Sequence, residues 1–175
     1  MTVSIAEDRV REHRSLKRRS LLMAAQLSTA EINDYREIFP KDDPAQEILA
    51  VLDKNNGSFD DSLTEIYSEK FGSLPDMAPG KSLLQITLKQ LREEVCGNEG
   101  FRAQVSDYNK NPRSVPLLTG LIVYLVGLAA ANGFPLDPAI ATVVVLYILK
   151  IGLNVFCEYT EPSTKDASSR RIPDD

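Results

Sequence analysis

The chain has 175 residues, enough for one ordinary domain or for a small domain plus an apolar hairpin. Twenty Lys and Arg stand against 25 Asp and Glu, and the net charge of −5 argues against a general nucleic-acid binder. Hydrophobic residues make up 43%, near the globular average, but a large share of them lies between residues 115 and 159. The two cysteines, Cys96 and Cys157, have no metal-ligand spacing and are too few and too distant for a disulfide framework, so a reducing compartment is the expectation. Cys157 reads as a small apolar residue at a helix end rather than as an acylation site.

Residues 1–27 open acidic and turn basic. Arg9, Arg11, Arg14, Lys17, Arg18 and Arg19 against Glu12 leave an excess of five positive charges between residues 9 and 19, followed by the apolar patch from Leu21. This basic arm reads as a solvated N-terminal helix, with anionic lipid or nucleic acid as the other surfaces it could touch. No secretory signal is visible.

Residues 28–72 read as a three-helix unit. Ser28 with Glu31 is a capping box: the hydroxyl satisfies a free N–H of the first turn and the carboxylate reaches back. The helix it starts should bury Ile32, Tyr35, Ile38 and Phe39 and stop at Pro40. Asp43-Pro44 starts a second helix with Ile48, Leu49, Val51 and Leu52 inward, and Asn55-Asn56-Gly57 ends it. Ser58 caps a third, with Asp60 and Asp61 near its positive end and Phe59, Leu63, Ile66, Tyr67 and Phe71 apolar. Residues 53–64 fail as a calcium loop, because Gly57 is fifth rather than sixth and Thr64 stands where a bidentate Glu is needed. A DNA-reading helix that opens Phe-Asp-Asp would repel phosphate. The two helices joined by Asn-Asn-Gly-Ser resemble the second and third helices of ubiquitin-associated-type modules, which implies a small protein-binding module.

Residues 73–81 are a Pro- and Gly-containing linker. Ser82 and Gln85 cap a helix over Leu83–Cys96, and Phe101, Val105 and Tyr108 mark another, so residues 82–114 read as a helical pair. The polar tail, residues 160–175, has the composition of a disordered segment.

Residues 115–159 form an apolar hairpin. Asn132-Gly133-Phe134-Pro135 marks the turn, and Asp137-Pro138 starts its second helix. Val115–Ala131 and Pro138–Cys157 fall within the roughly 17–25 residues of helix that span a bilayer. Lys110 and Arg113 precede the pair, which places both termini on the cytoplasmic side of a membrane. Lys150 opposes insertion; with Thr142, Asn154 and Glu158 it forms a polar stripe at four-residue spacing that suits a partner helix or a wet lumen. Gly120, Gly127 and Ala131 are small residues suited to close helix contact.

The sequence thus predicts an all-α protein: a small helical N-terminal part, an apolar two-helix hairpin and a disordered tail. Its one histidine, His13, lies in the arm, and there is no nucleophile–base arrangement, no phosphate loop and no metal spacing. The expectation is a non-enzyme without cofactor or metal: a membrane-associated adaptor or effector that binds an unidentified protein partner and whose hairpin anchors it or self-assembles, with nucleic acid disfavoured. The alternative is a cytoplasmic soluble all-α interaction protein with Lys150 at the core edge paired to a carboxylate, and with the hairpin as buried core or homo-oligomer interface.

Overall fold

The computed structural model describes residues 9–14, 16–17, 25–76 and 82–159. Arg18, Arg19 and the tail 160–175 lie outside the described residues, as do residues 77–81 of the linker. Every regular element among the described residues is helical: α1 (Thr29–Ile38), α2 (Ala45–Lys54), α3 (Phe59–Phe71), α4 (Leu83–Cys96), α5 (Glu99–Lys110), α6 (Val115–Ala131), α7 (Pro138–Ile151) and α8 (Leu153–Tyr159). Residues 9–14 and 16–17 of the arm are also helical, and exposed.

Side-chain oxygens close most of the helix starts. Ser28 Oγ accepts from the Glu31 N–H at 3.2 Å while Glu31 Oε2 accepts from the Ser28 N–H at 2.8 Å, and Ser82 and Gln85 repeat the reciprocal box. Ser58, Ser114 and Asp137 cap α3, α6 and α7. Asn98 caps α5, accepting from the Phe101 N–H at 2.8 Å, so that helix begins three residues before Arg102.

Helix α7 is the centre. Each residue from Ile140 to Ile148 is buried, enclosed by α2, α3, α6 and α8. A helix apolar on every side must be covered on every side. Here the cover is protein: Phe59 of α3 meets the Tyr147 ring edge-on at 5.4 Å between centroids. Each fully buried Val, Leu or Ile contributes about 1.5–3 kcal/mol relative to exposure. The core runs without interruption from Leu27 to Phe156.

The transmembrane hairpin and the membrane localisation with both termini cytoplasmic are corrected by this geometry. No helix among the described residues is long and apolar enough to cross a membrane. The second apolar segment is not one helix. Gly152 adopts φ 89° and ψ 139°, a conformation that strains an L side chain, and it ends α7 after 14 residues. That length is about 21 Å against a hydrocarbon core of about 30 Å. The 17-residue α6 reaches only about 25 Å.

The cysteine expectation is corrected as well. Cys96 at the end of α4 and Cys157 in α8 form a disulfide, with Cα atoms 5.7 Å apart across a sequence separation of 61. Arg102 of α5 ties the same corner, donating from Nε to the Cys96 carbonyl at 3.0 Å and from Nη1 to Asn154 Oδ1 at 3.3 Å.

Candidate docking surface

No charged residue occurs anywhere in α6, yet the helix is only half covered. Leu118, Leu121, Ile122, Leu125 and Ala129 face the core at helical spacing. The opposite face carries Pro116, Thr119, Val123, Gly127 and Ala130 in solvent, and Val123 is 64% exposed. Surface helices usually pair an apolar stripe with a charged one, so an uncharged outer face is the feature to explain.

Near the start of α6 this face opens into a groove of about 420 Å³ between α2, α3, α6 and α7. Phe39, Ile48, Ile66, Ile122 and Ala139 form its apolar lining. Asp43, Glu47 and Glu69 stand on its rim with Lys70. Lys70 is engaged by Asp137, whose Oδ2 lies 3.5 Å from Nζ, and Asp43 Oδ1 accepts from the Ala45 N–H at 2.8 Å. Glu47 and Glu69 are exposed and make no ion pair among the described residues. The groove therefore has an apolar floor and an acidic edge.

A second cavity, about 440 Å³, lies between α1, α5 and the end of α7, lined by Glu31, Asp34, Tyr35, Tyr108, Arg113 and Leu149. Tyr108 donates to the Pro112 carbonyl at 2.7 Å. Burial pushes the Tyr35 hydroxyl well above its ordinary range, helped by Tyr108 and Glu31, and burial pushes Tyr108 up too. Neither tyrosine is suited to proton transfer near neutral pH. No group of three His, Cys, Asp or Glu among the described residues is placed so that it could hold a metal ion.

The hairpin's polar stripe is split by the break at Gly152, and its members have separate tasks. Thr142 is buried and donates to the Pro138 carbonyl at 2.8 Å. Lys150 Nζ lies 2.7 Å from Glu31 Oε1 and 3.0 Å from Oε2. Asn154 accepts from Arg102, and Glu158 is exposed. Of the small residues in α6, Gly120 lies against Gln104, Gly127 has open space where a Cβ would stand, and Ala131 is exposed. In the arm, Arg9, Arg11, Arg14 and Lys17 are exposed, as are Val10 and Leu16. The sequence reading missed the groove. Its walls come from four helices, and its acids read individually as ordinary helix-surface residues. Val123 was visible only as one more uncharged position. Comparison of the chain with protein-family models, curated proteins and solved structures returns no match.

Proposed function

We propose that this chain is a non-enzymatic helical interaction module. In it, α7 is the buried core, and the outer face of α6 with the adjoining groove receives a helical segment of a protein partner. The observation that carries this reading is the uncharged, solvent-facing side of α6, from Pro116 through Val123 to Ala130, which leads into the groove at Thr119. A helix laid in an apolar groove is a common mode of protein recognition, and the anchors here would be apolar side chains reaching Ile48, Ile66 and Ile122.

A photoreactive residue placed at Thr119 or Val123 of the full chain tests it. The expected outcome is one adduct of defined mass at both positions and none at the exposed controls Asn109 and Glu158. Equal labelling at all four positions would remove the reading.

A further inference from the structure

Resting on that reading, we infer that the groove's occupant is the basic N-terminal helix of a second copy of this chain. The two surfaces match in charge and in character. Residues 1–27 hold six basic and three acidic residues, so the remainder of the chain carries −8. Within the arm, Arg9, Arg11, Arg14 and Lys17 are all exposed. The same helix exposes Val10 at 51% and Leu16 at 58%. At spacings of three, Val10, His13 and Leu16 make one row flanked by the arginines. The groove offers the counterpart: an apolar floor at Ile48, Ile66 and Ile122, with Glu47 and Glu69 on its rim and without ion pairs of their own.

Within one chain the groove is not filled by the described residues of the arm. At the other end of the arm Ala25 packs on the core and the Leu27 N–H donates to the Gly57 carbonyl at 3.0 Å. Residues 9–14 and 16–17 are exposed and none of them lines the groove, so each copy presents one basic helix with exposed apolar residues and one acidic apolar groove. Two copies related by a two-fold axis satisfy both reciprocally and close the assembly. The pairing also lets chains of like net charge associate through their oppositely charged parts.

Analytical ultracentrifugation of the full chain at low and high salt tests this. The expected result is a reversible dimer whose dissociation constant rises about tenfold or more with salt, because exposed charge pairs are screened. The Arg9→Glu/Arg11→Glu/Arg14→Glu variant should be monomeric, and so should Glu47→Lys/Glu69→Lys. Mixed together, the two variants should regain a heterodimer, because native arm meets native groove and reversed arm meets reversed groove. A chain that is monomeric at every concentration, a dimer indifferent to both reversals, or a mixture that stays monomeric overturns the inference. In each of those cases the photo-adducts at Thr119 and Val123 still decide the broader reading separately. All five substituted positions are exposed, and circular dichroism of each variant verifies that a lost dimer is not a lost fold.

Discussion

Lys150 and Glu31, 119 residues apart in the chain, are joined at 2.7 Å across the surface between α7 and α1. Glu31 serves two partners at once: one oxygen closes the capping box with Ser28, and both meet the ammonium. A lysine that reads as an obstacle within an apolar run is thus the tie between the central helix and the first one. The two side chains are 33% and 37% exposed, so the pair contributes modestly, about 0.2–1 kcal/mol. Lys150→Met should lower stability by that amount and leave the fold intact, as read by urea denaturation. A loss of several kcal/mol would mean that Lys150 does more than pair with Glu31.

The same pair sets a pH dependence. The hydrogen bond from Lys150 is the main cause that holds the Glu31 carboxyl below its ordinary 4.5. A carboxyl lowered in the folded state contributes stability that is present above the ordinary value and lost as pH falls through the lowered one. Glu31→Gln keeps a side chain able to complete the capping box while removing the charge. Its Tm should lie below that of the natural chain at neutral pH, and the gap should close in acid. A gap that persists at low pH would place the effect in the cap instead.

Val144 is fully buried at the middle of α7. Val144→Asn removes apolar burial and places an amide in the hydrophobic core. The lost burial and the unpaired polar group together should cost about 3 kcal/mol or more. Guanidinium denaturation of the purified full chain, without detergent, measures it. A variant as stable as the natural chain would show that α7 is not the core.

The Cys96–Cys157 bond closes a loop of 61 residues that contains α5, α6 and α7. Loop-closure entropy assigns such a link about 4 kcal/mol, within the usual 2–4 kcal/mol seen for disulfides. Reduction should lower Tm, and Cys96→Ser/Cys157→Ser should match the reduced natural chain. Thiol titration of the denatured, unreduced protein should find no free thiol; two thiols per chain would show that the bond is not made.

Gly57 sits at φ 77°, and a Cβ there would run into the Leu27 backbone. Gly57→Ala therefore combines a left-handed alanine with displacement of the Leu27 strand-like contact, at a cost of about 1–3 kcal/mol. Amide exchange at Leu27, whose N–H donates to the Gly57 carbonyl, should accelerate. Unchanged exchange would show that the contact survives the substitution.

What the sequence determined by itself is local. A serine or aspartate oxygen caps a helix by accepting from an N–H two or three residues on, so the starts at Ser28, Ser58, Ser82 and Asp137 are legible without any fold. The apolar identity of α6 and α7 is legible for the same reason, since it needs only the residues themselves. What surrounds those helices is not a local property. A helix apolar on every side looks the same whether lipid or protein covers it. Only the tertiary structure decides, by ending α7 at Gly152 and packing α2, α3, α6 and α8 around it. The partners of Lys150 and of Cys96 were equally hidden, because Glu31 and Cys157 lie 119 and 61 positions away. The groove was hidden more deeply still: it belongs to no segment, and its acids and its floor become one surface only when four helices meet.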